Sequence, residues 1–285
     1  MALVHSLWTA PMLNNERGQA SNQQILSAIW CYASSVAYAR KNNAEIHLYA
    51  DDYARELLGF LPYDNIYPLE VPEWIPTDFW AAGKFSALQK MSLGDIHIDG
   101  DVFIKTSKLC DILENAIDSA DLIVQSQENS WVYENEFYIN CLRIIRDFNI
   151  DINGLPEYSP AWNCGLVCFC NEELKQKYIN HYYSCVKRVS ETSGALDKIR
   201  ENKETWLDLL FEQQHLYTLS QDYKVCNLLG VGKAVSINAY SLGYQHLIGP
   251  EKWIYINKTK NQLYKLDKDI YNSVINQLKK MDIDI

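Results

Sequence analysis

Strand-like and helix-like segments alternate from the first residues onward, and that alternation restricts the chain to a small set of α/β folds. Leu3 to Trp8 reads as a strand that ends at Thr9-Ala10-Pro11. A polar loop over 12–20 follows, and Ser21 or Asn22 can cap a helix running to Lys41. In that helix Ile25, Ile29, Trp30, Ala33, Val36 and Ala37 recur at the helical period. Glu45 to Ala50 reads as a second strand, with Asp51 and Asp52 at its carboxyl end and a short helix from Tyr53 to Gly59. An opening of this kind, strand, helix, strand, helix, builds a parallel sheet with crossover helices.

The pattern continues less regularly. Pro62, Pro68, Pro72 and Pro76 make 62–76 a loop with room for one short edge strand. Phe79 to Met91 reads as a helix, Ala120 to Gln125 as a strand, and Trp131 to Phe148 as a helix. A loop over 149–162 leads to a strand from Cys164 to Cys170, then to helices from Glu172 to Ser190 and from Lys203 to Ser220. The tail from Thr259 mixes Lys and Asp in a helix with one solvated face. Neither a repeat nor a linker divides the chain. The expectation is a single α/β domain over 1–285, with a mostly parallel central sheet flanked by helices and a less regular second half.

One run promises chemistry. Ile96-His97-Ile98-Asp99-Gly100-Asp101-Val102-Phe103-Ile104 sets two carboxylates, one glycine apart, among β-branched and aromatic residues. Read as one strand, Asp99 and Asp101 share a face, and Gly100 lets a ligand approach the backbone. Two unpaired carboxylates in an apolar run are costly, whereas a hard divalent cation with a diphosphate would satisfy them.

Composition narrows the partners. With 48% hydrophobic residues the chain can bury a sizeable core. The formal net charge of −10 argues against general nucleic-acid binding, which needs a positive footprint. An anionic substrate then needs a metal, a helix N-terminus or a few placed cations. Met1 to Trp8 lacks a basic segment followed by a long apolar core, and no run of about 18 apolar residues occurs. The reading is a cytoplasmic, reducing setting, at most peripheral to the inner face of a membrane. Its 8 cysteines are then free thiols. Cys164, Cys168 and Cys170 lie in even steps and share one strand face as small apolar residues rather than as a zinc site.

A second segment answers the first. In His246-Leu247-Ile248-Gly249-Pro250-Glu251-Lys252-Trp253, an imidazole suits borderline cations such as manganese, Gly249 allows close approach to phosphate, and Lys252 offers a mobile charge. A metal on Asp99 or Asp101 and His246, with Lys252 on the same diphosphate, would stabilise a departing nucleotide.

Together these motifs resemble those of metal-dependent glycosyltransferases of the GT-A fold. They are most similar to the family 8 retaining group, which includes glycogenin and bacterial galactosyl- and glucosyltransferases. That group carries D-x-D and H-x-x-G-x-x-K-P-W; the present chain has Asp99-Gly100-Asp101 and His246-x-x-Gly249-x-x-Lys252-Trp253, without the proline before the tryptophan. The resemblance spans roughly residues 3 to 253. Asn163-Cys164-Gly165 is similar to the family's N-x-G strand start beside the donor sugar, and Glu212-Gln213 to its acidic-Gln pair. Trp80 to Phe85 matches a helix whose basic residue, here Lys84, contacts the nucleotide.

The resemblance implies a UDP-sugar donor, Mn2+ or Mg2+ on the diphosphate, and transfer of a hexose with retention to a glycan or lipid-linked glycan. Asp101 and His246 would bind metal, and Asp99 metal or ribose. His5, Ser6 and Leu7 would line the uracil pocket, with Asp51 at the sheet edge and Asn163, Gly249 and Lys252 on the donor. Asp101 and Lys252 would carry the leaving-group chemistry; Glu212 or Asp208 could serve as a base, although each sits in a plain helical pattern that suits a surface carboxylate. The nucleotide half would be 1–125, the acceptor and metal-completing half 126–258, and a C-terminal helix 259–285. A capping role for Asp51 is an equal alternative. Asp99-Gly100-Asp101-Val102 also fits a haloacid-dehalogenase-like phosphatase, with Asp99 as nucleophile and Asp101 as acid/base, but no second metal motif follows. A third reading is an inactive sugar-nucleotide-binding scaffold.

Overall fold

The computed structural model describes residues 1–13, 22–128, 136–152, 160–201, 207–249 and 251–283. Seven strands form the central sheet: β1 (Leu3–Leu7), β2 (Ile46–Ala50), β3 (Asn65–Pro68), β4 (Ile96–Ile98), β6 (Leu122–Gln127), β7 (Trp162–Phe169) and β8 (Val225–Asn227). Their order is β3-β2-β1-β4-β7-β6-β8. β7 runs antiparallel to both of its neighbours, and the other adjacent pairs are parallel. β3 is the edge strand expected within the proline-rich loop. Two short strands, β5 (Val102–Ile104) and β9 (Tyr244–His246), pair antiparallel as a second sheet. The result is an α/β, Rossmann-like arrangement.

Helices cover both faces. On one lie α1 (Asn22–Lys41), α2 (Asp52–Leu58) and the tail helices Ile256–Leu266 and Lys268–Lys280. The stripe read from the α1 sequence is buried against the sheet, with Ile29, Trp30, Ala33 and Val36 fully inaccessible. Each large apolar side chain so buried contributes about 1.5–3 kcal/mol. Leu263, Ile270, Val274 and Leu278 join the same core, so the tail is two packed helices rather than one. On the other face α3 (Ala82–Lys90) and α4 (Glu172–Glu191) contribute Phe85, Tyr178, Tyr182 and Val186. Ser21 and residues 131–135, which belonged to an expected cap and an expected helix, lie outside the described residues, as do 153–159 of the loop. Among the described residues no helix is long and apolar enough to cross a membrane.

Two expectations need correcting here. Ile96 to Ile104 is not one strand: β4 ends at Ile98, and β5 begins at Val102 in the other sheet. A turn separates them, closed by the Val102 N–H donating to the Asp99 carbonyl at 2.9 Å. The cysteines of β7 do not share a face either. Cys164 packs with the α3/α4 core and Cys168 with the α1 core. The cause is an irregularity in pairing, where Val124 faces Val167 but Ser126 faces Asn163. All eight cysteines are free thiols.

Candidate metal and diphosphate site

The sheet reverses its direction of growth at β1, whose neighbours are β2 on one side and β4 on the other. Crevices beyond the carboxyl ends of strands at such a point are where α/β sheets bind ligands. The Asp99-Gly100-Asp101 turn leaves β4 at this end, and β9 lies beside it through the pairing of Val102 with His246. Leu247 N–H also donates to the Asp101 carbonyl at 3.1 Å. Two motifs far apart in the chain thereby meet. One donor atom from each of Asp99, Asp101 and His246 lies within 4.8 Å of the other two, a spacing that suits a shared cation.

Electrostatics hold these groups in place. His246 Nε2 lies 3.4 Å from Asp101 Oδ1, and Lys252 Nζ lies 2.6 Å from Oδ2. Burial alone would raise the Asp101 carboxyl, but the two cations outweigh it and keep the carboxyl well below the usual range. Burial opposes charge on His246 and Lys252 too, yet Asp101 raises both above their ordinary values. His246 Nδ1–H donates to Gln125 Oε1 at 2.9 Å, and Tyr244 OH donates to the same oxygen at 2.6 Å. That second contact fixes the ring and aims Nε2 at the carboxylates, as in bound metal sites. Gly165 makes room for it: a Cβ there would lie 2.5 Å from His246 Cε1 and 2.5 Å from Gln125 Oε1. Gly249 has φ +55 with nothing within 4 Å of a Cβ position, an open left-handed turn before Lys252.

Beneath the turn sits a buried charge cluster. Lys84 Nζ lies 2.8 Å from Asp99 Oδ1 and 2.6 Å from Glu212 Oε1, and donates to the Cys164 carbonyl at 3.0 Å. Burial opposes its charge, but the two carboxylates hold the Lys84 ammonium well above its ordinary pKa. Burial pushes the Glu212 carboxyl up, against the attraction of Lys84. Glu212 lies in a π-helical turn, Leu210–Gln214, and is nearly inaccessible. Asp208 is buried as well, receiving Ala81 N–H at 3.0 Å and Tyr182 O–H at 2.8 Å, and burial pushes it up to about 8. Neither is the surface carboxylate that a helical pattern suggested.

Several other expected site residues turn inward. His5 is fully buried between Tyr63 OH at 2.9 Å and Ser35 Oγ at 3.0 Å, and burial lowers it to about 3, so it lines no open pocket. Lys84 spends three donors inside the protein and acts as an internal counter-ion rather than a nucleotide contact. Asn163 donates to Glu128 Oε1 at 2.5 Å and accepts Gly165 N–H at 3.0 Å, bracing the glycine behind His246. Asp51 is the N-cap of α2, accepting Ala54 N–H at 2.8 Å and Thr9 N–H at 2.6 Å. The space beside Gly100 is taken by the Tyr32 ring, 2.2 Å from a Cβ position, not by a ligand path. Ser6 does reach the site's edge, where its hydroxyl meets His97 Nε2 at 2.8 Å. His97 Nδ1 in turn lies 3.9 Å from Asp99 Oδ1, and sequence reasoning passed over it and Gln125. The β-strand placement of His97, two residues before Asp99, was the available signal.

No curated protein matches the chain. A family model matches residues 1–281, and the chain belongs to that family, described as a family of unknown function (DUF6734).

Proposed function

We propose that this chain is a metal-dependent glycosyltransferase of the GT-A type, moving a hexose from a UDP-linked sugar to a glycan or lipid-linked glycan with retention. The observation that carries the reading is the convergence of Asp99, Asp101 and His246, with Lys252 on Asp101. These residues fit Mn2+ or Mg2+, since two carboxylates and one imidazole make a hard to borderline donor set. Asp99, Asp101 and His246 would hold such an ion, which would supply Lewis-acid stabilisation to a departing diphosphate. Lys252, which sits 2.6 Å from Asp101 and whose backbone N–H donates to the Gly249 carbonyl at 3.4 Å, would then offer its ammonium to the phosphate oxygens. Glu212 acts through Lys84, which positions Asp99, so its role is orientation rather than proton abstraction.

The test is UDP release from a panel of UDP-sugars with Mn2+ and no acceptor. Slow hydrolysis is expected, lost on chelation and in both Asp101→Asn and Lys252→Ala. UDP binding without turnover favours the scaffold; neither binding nor turnover, with phosphate-ester hydrolysis instead, favours the phosphatase.

A further inference from the structure

A second convergence lies apart from the acidic one. His181 and Cys185 are four residues apart on α4 and so share a face. His215 opens the short helix His215–Leu219 directly after the π turn Leu210–Gln214. A π turn inserts a residue into the helical phase, and such turns recur at functional sites. His181 Nε2 lies 3.2 Å from His215 Nε2, and Cys185 Sγ lies 3.9 Å from His215 Nδ1. One donor atom from each residue lies within 4.8 Å of the other two.

We propose that His181, Cys185 and His215 form a site for a borderline divalent ion such as Zn2+, with the fourth coordination position open. Two imidazoles and a thiolate favour zinc over the manganese or magnesium that suits the acidic site. Tetrahedral zinc holds nitrogen at about 2.0–2.1 Å and sulfur at about 2.3 Å, so bound donors sit roughly 3.3–3.7 Å apart. The imidazole pair, at 3.2 Å, needs to part only slightly to reach that spacing, and loading would draw the sulfur inward. A cavity of about 50 Å³, lined by Ile152, His181, Ser184, Cys185 and Arg188, adjoins the cluster. A water needs about 15 Å³, so the cavity accommodates a fourth ligand.

The protonation states agree with this use. Burial keeps both imidazoles below their ordinary pKa, in the neutral form that ligates. Arg188 also lowers His181, but its own charge is offset by Asp151, whose carboxylate lies 3.3 Å away. Burial pushes the Cys185 thiol up to about 12, so loading must expel its proton to solvent. The proton shared between the imidazole nitrogens moves to the other nitrogen of its own ring. Without an ion the three groups make a neutral chain instead: the Cys185 thiol donates to His215 Nδ1, and the two Nε2 atoms share one proton. An ion there would pin α4 to the π turn that carries Glu212, whose carbonyl already accepts Tyr178 O–H at 3.0 Å.

The experiment is titration of the metal-free full chain with Co2+ as a spectroscopic substitute for zinc. One equivalent should give tetrahedral visible bands and a thiolate charge-transfer band, bleached by equimolar Zn2+. The spectrum should persist in Asp101→Asn, which damages only the acidic site. It should vanish in Cys185→Ser and in His181→Ala; the latter sits at the half-buried rim, and circular dichroism checks that it folds. Absence of a thiolate band in the wild type overturns the proposal. So does an unchanged spectrum in a folded His181→Ala protein.

Discussion

Replacing Lys84 by methionine tests whether the floor of the site is held by charge. The substitution keeps most of the side-chain volume and removes the ammonium that lies 2.6 Å from Glu212 and 2.8 Å from Asp99. The two carboxylates differ in what they then lose. Asp99 is one-third exposed, so water compensates much of its loss. Glu212 is 2% exposed and has no such recourse. Removing one partner of a buried pair costs about 3–5 kcal/mol, because a desolvated charge is left behind. For a chain of this length the unfolding entropy corresponds to about 0.6 kcal/mol per degree, so Tm should fall by about 5–8 °C. The left-over carboxyl will take up a proton, its folded pKa lying further above its unfolded value. The sign follows: stability of Lys84→Met should be greatest below the unfolded Glu pKa and decline as pH rises through the folded one. Adding Glu212→Gln removes the buried charge and should restore at least half of the loss. Urea unfolding followed by tryptophan fluorescence reads both quantities. A cost below about 1 kcal/mol for Lys84→Met, or no recovery in the double variant, would refute the argument.

Two further outcomes follow from single contacts. Gly165→Ala would place a Cβ 2.5 Å from the His246 ring and from Gln125 Oε1; overpacking should cost about 1–3 kcal/mol, and Mn2+ should no longer strengthen UDP binding, as isothermal calorimetry would report. In Asp208 the folded pKa of about 8 lies above the unfolded value of 3.8, so the stability it contributes is complete below the latter and is lost as pH rises through about 8. Asp208→Asn should flatten the fall in stability across that window; an unchanged pH profile in urea titrations would count against a neutral Asp208.

Local pattern made the first half legible and left the site's floor hidden. β1, α1 and β2 follow from periodicities of two and 3.6 that their own residues carry. The flanks of the Asp99 turn are β-formers and read as one strand, while the turn itself rests on one backbone bond and a change of sheet. β8 and β9 are three residues each and owe their existence to partners far along the chain. A π turn shares the residue pattern of an α-helix, so nothing marked Leu210–Gln214. The His246 and Asp101 motifs carry chemistry in their residue types, and their meeting could be anticipated. The pairing of Lys84 with Glu212, across 128 positions, has no local sign, because burial rather than residue type defines it. The same holds for His5, which the family resemblance placed in a uracil pocket and which Tyr63 and Ser35 bury.

The most direct measurement is thermal unfolding with saturating UDP, with and without Mn2+, for the wild type and Asp101→Asn. Ligand at 100 times its Kd adds about 2.7 kcal/mol, which is about 4–5 °C for this chain. An upward shift that needs Mn2+ and is absent from the variant is the expected result. No shift with UDP at any Mn2+ concentration, or an equal shift in Asp101→Asn, would contradict a metal-bridged diphosphate site at the Asp99-Gly100-Asp101 turn.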